Sequence, residues 1–464
     1  MDAIMPAHLD REAFKAACQR PLRRAIRVNT LKISVEDFKA RVEPRGWQLD
    51  PVPWCETGFW LKRPEAEEAA LALGNVAEHL LGLFYIQEAS SMMPPEALFK
   101  ALDRQPAHVL DVAAAPGSKT TQMAALMQNQ GMLVANEFSG SRIKGLFSNL
   151  QRLGIHNTAL CHFDGRVFGP ALPESFDAIL LDAPCGGEGT IRKDEDALKD
   201  WSQDHIDMIS AVQRDLIDSA FQALKVGGVL AYSTCTLNRQ ENQDVVAWLA
   251  DRHPGAVEIL PLDNLFPGAE QAITEEGFLH IWPQIFDSEG FFVAAIKKVA
   301  AINAEAEPQR LGRFPFQPLG RKDKAAVRQY FQGQFGIALP DSLWQRDKEI
   351  WLFPEGAEAL AGKIRFDRLG LRLAETLKKG YRSHHDAIIA LGSQAIHNVV
   401  ELDADQARAV FCGRDIEWPG AQAGAGEVVL TLEGHPIGIG KWLKNKIKNN
   451  LPREILKDNL SWLI

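Results

Sequence analysis

The sequence has few cysteines, no paired cysteine motif and no long hydrophobic run. Its six cysteines are far apart in 464 residues. This argues against a disulfide framework and a structural zinc site, and it predicts a reducing compartment, the cytoplasm. No apolar stretch approaches the roughly 20 residues of a membrane span. The first residues, MDAIMPAHLDREAFK, carry acids and lack an apolar core, so we expect no signal peptide.

Two common nucleotide-binding fingerprints are missing from the turn DVAAAPGSKT, residues 111–120. A P-loop needs Gly directly before Lys and an earlier Gly, but here Ser118 separates Gly117 from Lys119. The three glycines of a dinucleotide-binding turn are absent as well. The small residues therefore predict a ligand that approaches the backbone closely and has no pyrophosphate to be held.

Acidic residues outnumber basic ones, but some of the basic residues are clustered. The net charge of −9 argues against a wholly cationic surface for nucleic acid. Residues 19–34 and residues 436–453 nevertheless contain five bases each and no acid. These bases are Arg20, Arg23, Arg24, Arg27 and Lys32, and Lys441, Lys444, Lys446, Lys448 and Arg453. Either cluster alone is typical of a solvated face, but the two together predict a local polyanion-binding surface.

Composition divides the chain into four stretches. Residues 1–105 have the mixed pattern of an α+β domain. Residues 106–300 alternate strand and helix, which predicts a doubly wound parallel sheet. Residues 301–319 are small, polar and proline-containing, as in a linker. Residues 320–464 form a further α+β region. The run LFYIQEASSMMPP, residues 83–95, predicts no function from its spacing alone.

The stretch FDAILLDAPCGGEGT, residues 176–190, organises the central domain. Its apolar run without alternation is typical of a strand buried on both faces, and Pro and Gly then end that strand. Asp182 and Cys185 are thereby expected at the strand's carboxyl end. The next strand, residues 229–232, leads to Cys235. Because such strands are neighbours in a doubly wound sheet, we expect the two thiols to face one crevice. Two such thiols beside an acid disfavour inert buried cysteines.

Two acids end successive strands of the same domain. Glu137 follows residues 132–136, where an acid is well placed to accept two ribose hydroxyl hydrogen bonds. Asp164 follows residues 157–162, where an adenine amino group would lie. Each acid alone is common. Together with the small-residue turn they favour an adenosine ligand without a pyrophosphate, and S-adenosylmethionine fits that description.

The motifs DVAAAPGSKT, FDAILLDAPCGGEGT and YSTCTLNRQEN resemble those of the Sun/Fmu (NOL/NOP/Sun) type of S-adenosylmethionine-dependent RNA cytosine-5 methyltransferases. RVNTLKIS, YIQEASSMMP, HIWPQ and EGFFVAAI extend the match, which weakens over the C-terminal region. The resemblance implies a Rossmann-like class I methyltransferase core. It also implies an N-terminal RNA-binding α+β domain and a C-terminal α+β region that ends in a PUA-like RNA-binding domain. Ala113 stands where many relatives have Cys, at a position that needs only a small side chain.

The resemblance also implies roles for individual residues. Cys235 is the expected nucleophile, which adds to C6 of cytosine, and Cys185 assists product release. Asp182 contacts the cytosine edge at N3 or N4, and Lys119 has an orienting role. The expected S-adenosylmethionine contacts are Ala113, Ala114, Ala115, Pro116, Gly117, Ser118, Lys119, Glu137, Asp164 and Asp182. A rival assignment comes from DNA cytosine-5 methyltransferases, whose nucleophile follows a proline. It would make Cys185 the nucleophile.

The implied substrate is a cytosine of 16S ribosomal RNA, free or within the 30S subunit. We expect a cytoplasmic monomer with S-adenosylmethionine as cofactor, and with no metal and no membrane partner. Two other functions stay open. One is a ribosome-assembly factor that uses the fold only to hold RNA, although both cysteines and all three strand-end acids are present. The other is a small-molecule or protein methyltransferase, which needs no paired thiols.

Overall fold

The computed structural model describes residue 5 and residues 9–194, 196–199, 201–303, 314–418 and 426–457. Within these residues the strands form four sheets. A nine-stranded sheet lies in the central domain, a four-stranded sheet precedes it, and two five-stranded sheets follow it. The central sheet positions the candidate site.

The N-terminal region forms a four-stranded antiparallel sheet in the order β2-β3-β1-β4. Its elements are α1 (Arg11–Cys18), β1 (Ala25–Val28), α2 (Val35–Val42), β2 (Gln48–Val52), β3 (Cys55–Lys62), α3 (Glu65–Ala70), α4 (Ala77–Leu80), β4 (Phe84–Ile86) and α5 (Met93–Lys100). Ser34 caps α2, since its hydroxyl accepts a hydrogen bond from the backbone N–H of Asp37 at 3.0 Å. The cap explains where this helix begins.

The central domain has the predicted strand–helix alternation. Its elements are β5 (His108–Asp111), α6 (Ser118–Leu126), β6 (Met132–Asn136), α7 (Ile143–Leu153), β7 (Thr158–Cys161), α8 (Phe168–Ala171), β8 (Phe176–Asp182), α9 (Gln203–Ala223), β9 (Leu224–Thr234), α10 (Gln243–Arg252), β10 (Val257–Leu260), β11 (Leu279–Ile281), α11 (Pro283–Phe286) and β12 (Phe291–Lys298). The strand order is β10-β12-β9-β8-β5-β6-β7, and β9, β8, β5, β6 and β7 are parallel.

The doubly wound sheet is therefore confirmed, and β11 pairs antiparallel with β12 beside it. The central strand β8 is buried from Phe176 to Leu181. Its run of apolar residues has no alternation because helices cover both faces of the sheet.

The C-terminal region contains two five-stranded sheets, ordered β13-β14-β15-β17-β18 and β19-β21-β22-β23-β20. Its elements are β13 (Gln317–Pro318), α12 (Arg321–Phe335), β14 (Leu343–Arg346), β15 (Glu349–Leu352), β16 (Arg368–Leu369), β17 (Leu371–Thr376), β18 (Tyr381–Ser383), α13 (His385–Leu391), β19 (Val399–Leu402), α14 (Ala404–Phe411), β20 (Ile416–Glu417), β21 (Glu427–Leu432), β22 (His435–Leu443) and β23 (Lys446–Asn449). Of the expected linker, residues 304–313 lie outside the described residues.

A short strand joins the C-terminal region to the central sheet. β16 pairs antiparallel with β7 at the edge of that sheet. The backbone N–H of Asp367 donates to the oxygen of Leu160 at 2.9 Å, and that of Gly370 donates to Thr158 at 2.8 Å. Because β7 would otherwise be an open edge, β16 also covers a surface prone to non-specific strand pairing.

The N-terminal basic cluster is only partly a surface feature. Arg27 is 1% exposed and donates to Gln87 Oε1 at 2.9 Å. Burial lowers the pKa of Arg27 to about 10. Lys32 is half-buried and donates to two backbone oxygens, and burial together with the charge of Arg152 lowers its pKa to about 7. The prediction of a polyanion-binding surface is therefore wrong for these two bases.

Helix length and hydropathy bear on the membrane question. The longest helix in the described residues is α9, with 21 residues, and it carries five charged side chains. No helix that the structure describes is both long and apolar enough to cross a membrane.

Candidate active site

The two predicted cysteines lie side by side at the carboxyl edge of the central sheet. β8 and β9 pair in parallel, with Asp182 opposite Ser233. Each cysteine follows the end of its strand, and the Sγ atoms of Cys185 and Cys235 are 3.2 Å apart. Both residues are partly accessible. The fold thus brings together two sulfur atoms that are 50 positions apart in the chain.

The environment of Cys185 favours its protonated form. The neighbouring thiol of Cys235, burial, and the negative charges of Glu241 and Asp182 raise the pKa of Cys185 well above its ordinary value. A thiol that resists ionisation is a poor nucleophile at neutral pH, since the thiolate is the reactive form.

Asp182 connects the cysteine strands to the predicted cofactor turn. Its Oδ2 accepts a hydrogen bond from Lys119 Nζ at 2.7 Å, and its Oδ1 accepts one from Ser233 Oγ at 2.7 Å. Lys119 Nζ also donates to Ser91 Oγ at 3.0 Å and lies 5.6 Å from the ring centroid of Phe291. The structure thus gives Lys119 a partner in Asp182 and holds that carboxylate at the crevice.

Ser91 is a site residue that sequence reasoning missed. It belongs to the run at residues 83–95, whose spacing predicts no function. The same run supplies Gln87, which accepts from Arg27 and donates to Gln122 Oε1 at 3.0 Å. In the sequence, this run was marked only by YIQEASSMMP, one of the motifs that carry the family resemblance. Its contacts show that it anchors the N-terminal domain against α6 and the site.

The predicted cofactor turn is a tight bend between β5 and α6. Gly117 has a φ of 106°, and a Cβ there would lie 3.0 Å from Leu146 Cδ1, so both conformation and space favour glycine. Ala114 and Ala115 are buried, whereas Pro116 is exposed. The remaining members of the turn, Ala113 and Ser118, are half-buried.

Asp111 ends β5 directly before this turn and is almost fully buried. Its Oδ2 accepts from Thr120 Oγ1 at 2.6 Å, but its Oδ1 has no hydrogen-bond partner among the described residues. Burial raises the pKa of Asp111 to about 7. A buried unsatisfied oxygen is costly, so this end of the strand is suited to a ligand with a hydrogen-bond donor.

Glu137 lies beside the turn, as expected for a ribose contact. Its Oε2 accepts from the backbone N–H of Ala115 at 3.2 Å, and its Oε1 accepts from that of Ser139 at 2.8 Å. Asn136, which sequence reasoning missed, donates to the backbone oxygens of Val112 at 3.0 Å and Phe163 at 2.9 Å. This amide holds the ends of β5, β6 and β7 in one cluster.

Asp164 is the outermost of the predicted cofactor residues. Its carboxylate pairs with Arg166 at 2.6 Å, and this hydrogen bond lowers the pKa of Asp164 below its usual value. Phe138, directly after Glu137, is 71% exposed. An exposed aromatic ring next to the predicted ribose contact is suited to stacking on a base.

These features fit S-adenosylmethionine. The turn admits a close backbone approach at Gly117, and Glu137 offers a carboxylate for a ribose. The orphaned oxygen of Asp111 calls for a donor such as an ammonium group. The described residues contain no group of three or more His, Cys, Asp or Glu that would hold a metal ion.

Four family models match successive parts of the chain. The model for the 16S rRNA methyltransferase RsmB/F matches residues 100–297. The RsmF N-terminal, pre-PUA and PUA domain models match residues 1–89, 316–391 and 397–457. Ribosomal RNA small subunit methyltransferase F of Aeromonas hydrophila is 58% identical over 98% of this chain and 96% of its own. The protein of that name from Escherichia coli strain SE11 is 57% identical over 99% and 95%.

The chain belongs to the RsmB/F family. This confirms the recognised resemblance, and it makes the protein an S-adenosylmethionine-dependent ribosomal RNA methyltransferase of the small subunit. The PUA domain match supports a C-terminal RNA-binding region. Of the open alternatives, both the non-enzymatic assembly factor and the small-molecule methyltransferase are disfavoured.

Solved structures agree on the fold of the RsmB/F family core. A methyltransferase homologue from Pyrococcus horikoshii is 38% identical, with a TM-score of 0.52 over 62% of this chain and 90% of that chain. NSun6 from the same organism has a TM-score of 0.53 over 62% and 94%, and at 22% identity this likeness shows the fold alone. Both confirm the Rossmann-like class I core.

Gly189 gives a sharp test of the close contact between the two cysteine loops. Its N–H donates to the backbone oxygen of Cys235 at 2.9 Å, and a Cβ there would overlap the backbone of Gly290. We expect Gly189→Ala to lower kcat by about 10²-fold, because a displacement near 1 Å at a reacting group has that effect. The melting temperature should fall too. Methyl-transfer kinetics and thermal unfolding measure both effects.

Gly333→Ala is the matched control for this prediction. Gly333 lies inside α12, where an added methyl group would have no neighbouring atom within 4 Å, and its φ is not positive. This change should stabilise the helix by about 0.5–1 kcal/mol and leave the rate unaltered. An unchanged kcat in Gly189→Ala would show that the loop contact is unimportant for catalysis.

Proposed function

We propose that the protein methylates C5 of a cytosine in 16S ribosomal RNA through a covalent bond between Cys235 and C6 of the ring. The pair Cys185–Cys235, with sulfur atoms 3.2 Å apart beside Asp182, is the observation that carries the proposal. C5 of cytosine is a poor nucleophile, and addition of a thiolate at C6 turns the ring into a reactive enamine. Methyltransferases that act on more nucleophilic atoms need no such pair of thiols.

Each residue has one task in this reaction. The Cys235 thiolate forms the S–C6 bond, while Asp182 binds the cytosine edge at N3 or N4 and limits charge build-up on the ring. Lys119 holds Asp182 in place. S-adenosylmethionine, when bound, supplies the methyl group that C5 accepts. Solvent water then accepts the C5 proton, the C–H electron pair restores the C5–C6 double bond, and the Cys235 thiolate leaves, with Cys185 assisting release.

The cofactor is assigned to the residues at the carboxyl ends of β5, β6, β7 and β8. The turn at residues 113–119 would contact the cofactor through its backbone, and Glu137 would accept hydrogen bonds from the ribose hydroxyls. Asp164 would hold the adenine amino group, and Asp182 would lie at the methyl-donor end. The exposed ring of Phe138 would stack on the adenine.

The test is methyl transfer from labelled S-adenosylmethionine to 16S ribosomal RNA, followed by nucleoside analysis. We expect the label in 5-methylcytidine at a single position. Assays with naked RNA and with 30S subunits identify the substrate form, and sedimentation tests the proposed monomer. Label in another nucleoside would contradict the assignment to C5. We place the reaction in the cytoplasm, where the ribosomal subunit is assembled.

The C-terminal basic cluster supports an RNA contact. All five of its bases are exposed, and Lys441 lies directly opposite Lys448 in the pairing of β22 with β23. Like charges that face each other in a sheet are destabilising. Lys446 has an acidic partner, Asp415, at 2.7 Å. A phosphate backbone lying along this hairpin would relieve the repulsion between the other lysines.

Replacing Lys441, Lys444, Lys446 and Lys448 with alanine should weaken RNA binding at least about tenfold. The salt dependence should flatten as well, since each lost phosphate contact removes about 0.7–0.9 from the slope of log K against log salt. Filter binding across a salt series measures both. Lys378→Ala with Lys379→Ala, two exposed lysines outside the cluster, is the control. Affinity equal to that of the unmodified protein would show that the hairpin is not a contact surface.

A further inference from the structure

Two buried carboxylates tie the cysteine loops to each other. The first is Glu188, three residues after Cys185 and 2% exposed. It accepts hydrogen bonds from the loop that follows Cys235, namely from Thr236 Oγ1 at 2.9 Å and from the next two backbone N–H groups at 3.1 and 2.9 Å. Trp201 Nε1 also donates to it, at 2.7 Å. The Cys185 loop thus holds the Cys235 loop through one carboxylate.

The second carboxylate makes the reverse connection. Glu241 follows Cys235 in the chain and is fully buried. It accepts from the backbone N–H of Gly186, the residue after Cys185, at 2.8 Å. Gln213 Nε2 at 2.9 Å and Asn238 Nδ2 at 2.6 Å complete its partners. Each cysteine loop therefore contributes one carboxylate to the other.

Neither carboxylate is neutralised by a cation. In the described part of the chain, neither Glu188 nor Glu241 takes part in an ion pair, and all their side-chain partners are hydrogen-bond donors. This is the bonding pattern of an ionised carboxylate. Burying such a charge without a counter-ion is costly, and a neutral amide would meet much of the need for loop anchoring. We therefore expect the negative charge of these carboxylates to have a function beyond anchoring the loops.

The carboxylates that act most strongly on Cys185 are Glu241 and Asp182, and both are negative. A negative charge beside a thiol opposes formation of the thiolate. The charge of Glu241 adds to burial and to the Cys235 thiol in raising the pKa of Cys185.

We propose that Glu241 is a positioning residue with two effects. It anchors the Cys185 loop, and it keeps the proton on Cys185 while Cys235 reacts. Glu188 has the matching geometric role on the Cys235 loop. The inference rests on the proposed function for the roles of the two thiols. The state of Cys185 is nevertheless measurable in the protein without RNA or cofactor.

The test compares Glu241→Gln with Glu188→Gln in the full-length protein. Alkylation by iodoacetamide is followed at each thiol by peptide mass spectrometry between pH 6 and 10. In Glu241→Gln we expect Cys185 to react at least about tenfold faster at pH 8, with the midpoint of its profile moved to lower pH. In Glu188→Gln the profile of Cys185 should stay within about twofold of the unmodified protein.

Glu241→Asp separates charge from folding, because it keeps the carboxylate. It should leave Cys185 as slow to react as in the unmodified protein. A Cys185 profile in Glu241→Gln that matches the unmodified protein overturns the proposal, and so does a reactive Cys185 in Glu241→Asp. These outcomes do not depend on methyl transfer, so a failure of the proposed cytosine chemistry would be seen separately, in the RNA assay.

Discussion

Cys235→Ala is expected to form no covalent complex with RNA, whereas Cys185→Ala accumulates one that survives a denaturing gel. Without the Cys235 sulfur no bond to C6 forms, and methyl transfer should fall by at least about 10⁴-fold, as for other lost nucleophiles. Without Cys185 the addition still occurs, but release of the methylated product is slow. Gel shift of labelled RNA, run with S-adenosylmethionine present, measures both outcomes.

Cys412→Ala is the control for this pair, since Cys412 is also partly accessible but follows α14 in the C-terminal region. It should behave as the unmodified protein. The opposite pattern, with an adduct in Cys235→Ala and none in Cys185→Ala, would assign the nucleophile as in DNA cytosine-5 methyltransferases.

Asp182→Asn is expected to lower kcat by about 10²–10³-fold, the range seen when one stabilising group of a transition state is removed. The change removes the negative charge that accepts a hydrogen bond from Lys119 Nζ at 2.7 Å, and it weakens the contact with the cytosine edge. Because Asp182 lies at the partly exposed end of β8, unfolding should be little affected. Single-turnover methyl transfer and thermal unfolding distinguish the two effects.

Asp177→Asn is the matched control on the same strand. Asp177 lies near the opposite end of β8, accepts from the backbone N–H of His108 at 2.9 Å and pairs with Lys225 at 2.8 Å. Its loss should destabilise the fold by about 1–3 kcal/mol and spare the rate of the folded enzyme. If both variants showed the same rate as the unmodified protein, Asp182 would have no part in the chemistry.

Much of this site follows from chain order and strand patterning. The buried run of β8 and the alternation around it predicted a doubly wound sheet, and the pairing rules of such sheets make β8 and β9 neighbours. Asp182, Cys185 and Cys235 therefore reach one edge without any knowledge of side-chain contacts. The small residues of the cofactor turn were likewise visible, because tight backbone turns require them.

The residues that sequence reasoning missed share a physical reason. Ser91, Asn136 and Glu241 act through hydrogen bonds to partners that are distant in the chain, and no local period marks such contacts. Composition also says nothing of burial, so Arg27 and Lys32 counted as surface bases although both donate to protein groups. These contacts appear only once the domains are docked.

The pairing of β16 with the central sheet could not be predicted from the sequence for the same reason. It consists of two residues, which is too short for any strand pattern, and its partner β7 lies some 200 positions earlier. The pairing places the C-terminal region against the sheet that carries the cofactor residues. The C-terminal region is thus joined to the catalytic core by strand pairing.

The most direct measurement is tandem mass spectrometry of the adduct trapped with Cys185→Ala, after digestion by protease and nuclease. We predict one cross-linked peptide, in which Cys235 carries a methylated cytidine through a thioether at C6. A nucleotide on any other residue, or methyl transfer at full rate with no adduct in any variant, would contradict the covalent mechanism.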